Sequence, residues 1–187
     1  DYFASIKRPT GVTKKIMDEA LEDIRTRLPA EWVDDTFSKS RGNGWTMSFG
    51  KRGSNSARQR RIILSGAKEQ EGALVNGWRS TLTHEFQHST QMVPGVADSE
   101  YAIFNRLAKM RGISKGDKPL KYAQGEYAFD LGVGDLYTGK MYNYDGYTEV
   151  TTRGLERLFH ENWMTYGADQ QGMIAFRRYL LGILAAL

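Results

Sequence analysis

The five residues His84-Glu85-Phe86-Gln87-His88 constrain this chain more than any other stretch, because two imidazoles four residues apart act together only if the backbone between them is helical. On an α-helix, positions i and i+4 stand about 6 Å apart along the axis on one face, so both rings can reach a single ion at roughly 2.0–2.1 Å per bond. Glu85 then projects about 100° further round the helix, where its longer side chain reaches a water on that ion without binding the ion itself. The surroundings read as such a helix: Val75, Trp78, Leu82, Phe86 and Val93 mark an apolar stripe, Asn76 and Gly77 lie near its start, and Pro94-Gly95 end it. The spacing predicts a zinc-hydrolase centre with His84 and His88 as metal ligands and Glu85 as general base. The chain holds only 3 histidines, so two of them falling at ligand spacing weighs against an ordinary solvated pair.

A chain of 187 residues, 40% hydrophobic and 12% aromatic, is long enough to bury a core. One domain is expected, with residues 1–66 as a variable N-terminal part and residues 67–187 carrying the metal site. There is no cysteine, which excludes disulfides, thiolate ligands and a cysteine nucleophile, so any metal must be held by His and carboxylate. The sequence opens on Asp1 with no basic and apolar leader and is read as an excised or processed domain. Its longest apolar run, Leu180 to Leu187 broken only by Gly182, falls well short of the roughly 20 residues that a membrane helix needs, and no membrane contact is expected. The net charge is +4, and Lys51, Arg52, Arg58, Arg60 and Arg61 cluster in the stretch Gly50 to Arg61. Without interleaved aromatics or a nucleic-acid motif, that cluster reads as a solvated loop rather than a nucleic-acid surface.

Apolar residues from Ile16 to Leu28 recur at helical spacing behind Thr13 and stop at Pro29, predicting an amphipathic first helix. Trp45 to Phe49 and Arg61 to Ser65 read as a hairpin or two neighbouring strands, which could offer a free edge to an extended peptide. Tyr101, Phe104, Leu107 and Met110 predict a helix over 97–111. A small sheet extension is expected from Glu126 to Leu131 and Lys140 to Tyr144, a helix capped by Thr148 follows, and a last helix runs from about Gly172 to Ala186.

A catalytic zinc usually takes three protein ligands and leaves a fourth position open. The metzincin pattern would need Gly at 91 and His at 94, where this chain has Gln91 and Pro94, so that class is rejected. Glu149, Glu156 and His160 share one helical face, but Glu149 and Glu156 stand about 10 Å apart along the axis and cannot both hold one ion. Glu149 is the preferred ligand, placed in the first turn after a tyrosine-rich loop. Glu156 and His160 also read as a surface i,i+4 pair. Tyr142, Tyr144 and Tyr147 crowd the approach to Glu149, with Tyr122 and Tyr127 shortly before. A phenol there can donate to a developing oxyanion, and Tyr147 is preferred by proximity.

The run Tyr137-Thr138-Gly139-Lys140-Met141-Tyr142, the pair Thr148-Glu149 with Gly154-Leu155-Glu156, and the ending Phe176-Arg177-Arg178-Tyr179-Leu180-Leu181-Gly182-Ile183-Leu184 accompany His84 to His88 in that order. Together they resemble the zinc metallopeptidase-like domains attached to phage head-morphogenesis proteins and bacterial polymorphic toxins. Thr151-Thr152-Arg153 departs from the Ser-Met-Gly type of turn familiar there. The resemblance implies Glu149 as third ligand, a larger parent polypeptide, and a virion component or delivered effector of bacterial or phage origin.

The expected fold is α+β, a helix-rich zincin-like domain with a small antiparallel sheet. The expected function is a gluzincin-like metalloendopeptidase that cleaves a protein or peptide by a Glu-activated water on Zn²⁺. The alternative is a non-catalytic module of a virion or toxin that binds a protein partner and in which zinc only braces two helices. Glu85 separates the two, because a bracing site needs no base.

Overall fold

The computed structural model describes residues 6–7, 14–38, 46–50, 54–56, 61–65, 71–142, 147–160 and 170–186. The chain divides into two compact units, Asp1–Val93 and Pro94–Leu187. The described residues form a helix-rich α+β architecture, as the sequence predicts, with a small antiparallel sheet in the second unit and a mixed one in the first.

In the first unit, α1 (Lys14–Arg27) buries Met17, Ala20, Leu21 and Ile24, the positions that 3.6-residue periodicity selects. Pro29 ends this run and also begins a helix that the sequence reading did not anticipate, α2 (Ala30–Ser38). The amides of Trp32 and Val33 donate to the Pro29 carbonyl, and proline's fixed φ suits a first helical turn as well as it stops the one before. Strand β1 (Thr46–Gly50) pairs in parallel with β3 (Arg61–Ser65), and β2 (Ser54–Ser56) pairs antiparallel on β3's other side. The two expected strands are therefore neighbours, but not a hairpin. The basic stretch between them supplies β2, which takes the antiparallel place beside β3. Lys51, Arg52, Arg58 and Arg60 lie outside the described residues.

Helix α3 (Glu71–Thr90) packs against α1, α2, β2 and β3. It begins earlier than expected, leaving Asn76 and Gly77 inside it rather than near its start. Every residue from Leu82 to Gln87 is buried, so this part of the helix is enclosed all round rather than along one stripe. The side chains of Val75 and Trp78 lie outside the described residues.

In the second unit, α4 (Val96–Met110) buries Val96, Glu100, Ile103, Phe104, Leu107 and Ala108. Tyr101 and Met110, expected on that face, are exposed: strict three-residue steps drift about 60° each time round the helix. Strands β4 (Leu120–Ala123) and β5 (Glu126–Ala128) form an antiparallel pair, prolonged by single bridges between Ala128 and Lys140 and between Met141 and Thr148. The expected extension at 140–144 is thus reduced to isolated bridges, with residues 143–146 outside the described part. A 3-10 turn (Tyr137–Gly139) precedes α5 (Val150–His160), and α6 (Gln170–Ala186) packs on both α4 and α5. Among the described residues no helix is long and apolar enough to cross a membrane.

Candidate metal centre

The HExxH run lies in the last turns of α3, and its helical geometry puts His84 and His88 side by side, ring centroids 5.0 Å apart and nearly perpendicular. His84 is buried and His88 half-buried. Gln91, just past the helix, places its side-chain oxygen 3.1 Å from His88 Nδ1. An amide oxygen only accepts, so Nδ1 carries the proton and Nε2 keeps the lone pair that can bind a metal. Glu85 is itself buried, at 5% exposure, which is uncommon for a carboxylate.

In the second unit, Glu149 is fully buried immediately before α5 rather than in its first assigned turn. Its amide donates to the Lys140 carbonyl at 3.1 Å and its carbonyl accepts from the Arg153 amide at 2.9 Å, which ties the loop strand to the helix start. Three hydroxyls orient its carboxylate. Tyr137 donates to Oε1 at 2.7 Å, Tyr142 donates to the same oxygen, and Thr152 donates to Oε2 at 2.7 Å. Burial, followed by the negative charge of Glu149 and the neighbouring Tyr142, pushes the Tyr137 phenol well above its ordinary value, so it remains a hydrogen-bond donor. Lys140 Nζ lies 5.3 Å from the Tyr137 ring centre and 4.7 Å from that of Tyr142, and it pairs with Glu126 at 3.5 Å. Tyr122 donates to that same Glu126 carboxylate.

The close passage of Gly139 holds this arrangement in place. Its carbonyl accepts from the Phe129 amide at 3.0 Å, and a Cβ on Gly139 would stand 1.9 Å from the Phe129 carbonyl oxygen, where no side chain fits. Asp135 fastens the same turn to α5. Its Oδ1 accepts from the Thr138 amide and hydroxyl at 2.7 and 2.9 Å, and its Oδ2 accepts from Arg153 at 3.2 Å and from the fully buried Arg157.

Among the described residues, His84, His88 and Glu149 form a group that could hold a metal ion. The donor chemistry fits: two imidazoles and a carboxylate make the nitrogen-and-oxygen set of a three-ligand catalytic zinc, and the hydroxyls on Glu149 do for it what Gln91 does for His88. Glu156 is occupied otherwise, accepting from Arg153 at 2.5 Å. The side chain of His160 and all of Tyr144 lie outside the described residues. Among the described residues, Tyr137 and Tyr142 are phenols that donate to Glu149. Tyr147, nearest in sequence, contributes its backbone carbonyl to the Tyr142 amide at 2.9 Å. Gln91, Tyr137 and Thr152 were not singled out as site residues from sequence, because their roles depend on folding rather than on a spacing within one helix. Compared with known families, curated proteins and solved structures, the chain matches none.

Proposed function

We propose that the chain is a zinc-dependent metallopeptidase in which His84, His88 and Glu149 hold one Zn²⁺ and Glu85 is the general base. The observation that carries this reading is the buried Glu85, set directly after the first of two adjacent imidazoles on α3. Metal binding alone gives no reason for a buried carboxylate there, whereas hydrolysis does. Zinc held by two His and one Glu polarises a carbonyl and brings the pKa of a coordinated water down to about 7.

The chain's own residues supply the remainder. Glu85 accepts a proton from the attacking water and later passes it to the leaving amine as the scissile C–N bond breaks. Tyr147 is the proposed donor to the developing oxyanion. Tyr137 and Tyr142 are committed to Glu149, whereas the Tyr147 hydroxyl makes no hydrogen bond among the described residues. Strand β1, an edge of its sheet in the same unit as α3, offers ladder hydrogen bonds to an extended peptide. The resemblance to metallopeptidase-like domains of phage head-morphogenesis proteins and polymorphic toxins supports a protein or peptide substrate and a larger parent polypeptide.

The test combines metal analysis with a peptide-library cleavage assay. The wild type should retain about one zinc per chain, and His84→Ala or His88→Ala should lose it, since two ligands hold zinc poorly. Glu85→Gln should keep zinc and cut about 10²–10⁴-fold more slowly, because the amide preserves shape but accepts no proton. Zinc retained in both histidine variants would sink the ligand assignment. No zinc-dependent cleavage by the wild type over a broad library would favour the bracing module.

A further inference from the structure

Glu100 is the one residue on the buried face of α4 that packing does not explain. Its companions Val96, Ile103, Phe104, Leu107 and Ala108 are apolar, yet Glu100 is fully buried among them. Burying a carboxylate is costly unless it is hydrogen-bonded, and a leucine would fill the position at less expense. Two of the Glu100 bonds go to one place. Its Oε1 accepts from the Thr148 hydroxyl at 2.8 Å and from the Thr151 amide at 3.3 Å, across 48 and 51 positions of sequence. Thr148 in turn accepts the Val150 amide at 3.2 Å. The first amides of α5 are thus capped twice, once locally by Thr148 and once from α4 by Glu100, and a negative charge at a helix N-terminus is favoured by the helix dipole.

Glu149 sits between these fastened residues, with Thr148 before it and Val150 and Thr151 after it. Its backbone therefore has little freedom to rotate, and the three hydroxyls on its carboxylate complete the orientation. We infer that Glu100 is a positioning residue for Glu149, aiming the carboxylate by pinning the backbone on either side. The inference rests on the reading above that Glu149 is a metal ligand. It adds a role for a buried acid that the hydrolytic chemistry does not use.

The experiment is zinc affinity, measured by competition with a chromophoric chelator, and the visible spectrum of the Co²⁺-substituted protein. Wild type, Glu100→Gln, Glu100→Leu, Thr148→Val and Glu149→Ala are compared at a temperature where circular dichroism shows each to be folded. Glu100→Leu removes the acceptor and should weaken zinc by about 10- to 100-fold, the usual effect of losing a group that orients a ligand, with an altered Co²⁺ band. Glu100→Gln keeps an acceptor oxygen and should restore affinity to within a few-fold of wild type, a rescue that lost packing alone would not produce. Thr148→Val keeps shape, removes the hydroxyl that links Glu100 to the helix start, and should shift affinity in the same direction by less. It decides the matter if Glu100→Leu does not fold. Affinity and Co²⁺ spectrum unchanged in Glu100→Leu and Thr148→Val, while Glu149→Ala loses zinc, would overturn the positioning role alone. A Gln variant as weak as the Leu variant would overturn it too. Zinc affinity unchanged in Glu149→Ala would overturn the ligand reading and this inference with it.

Discussion

Gln91 holds His88 by a hydrogen bond to Nδ1, and that bond selects which ring nitrogen is left to bind an ion. Gln91→Leu keeps the bulk and removes the acceptor, so zinc affinity should fall by about 10- to 100-fold. Chelator competition measures it, and an unchanged affinity would mean that the tautomer is set by another group. Glu149 and Glu156 make a sharper contrast, since one carboxylate accepts three hydroxyls and the other accepts an arginine. Glu149→Ala should release zinc, whereas Glu156→Ala should keep it and lose its bond to Arg153. Elemental analysis of the two variants decides, and zinc lost from the Glu156 variant alone would reverse the assignment. The imidazole pair was legible in the sequence because both rings belong to one helix and spacing alone defines their geometry. The partners of Glu149 were not legible. Tyr137 and Tyr142 reach it through a 3-10 turn and an isolated bridge, and neither leaves a periodic trace.

At the scale of elements, α1, α4 and α6 could be read because their apolar residues repeat at helical spacing. Helix α2 was hidden behind Pro29, which reads as a stop whether or not a new helix starts on it. The direction of β1 beside β3 could not be read either, since it depends on β2, three residues of Ser and Asn with no apolar alternation. Helix packing gives the next prediction. A Cβ on Gly154 of α5 would stand 2.5 Å from Leu180 Cδ1 and 2.9 Å from Phe176 Cζ, both on α6 and both fully buried. Neither neighbour can retreat into solvent, so Gly154→Ala should force the two helices apart at a cost of about 1–3 kcal/mol, more than the gain in helix propensity returns. Urea denaturation measures this, and a variant as stable as wild type would show that the α5–α6 contact yields more readily than its geometry implies.

The whole chain has no cysteine to staple it and carries a net charge of +4, so it depends on burial and, on the function proposed above, on a bound ion. An ion that binds only the folded chain stabilises it by mass action, by about 2.7 kcal/mol when free zinc is a hundredfold above its Kd. For a chain of this size that corresponds to a Tm increase of about 5–10 °C. Calorimetry with and without a chelator should show the shift in the wild type and not in His88→Ala, and equal Tm values in the wild type would remove zinc as a stabiliser. The enclosure of α3 from Leu82 to Gln87 carries this further, into time. Backbone amides there have no exposed face from which to exchange with solvent, so they should lose their protons only when the chain opens cooperatively.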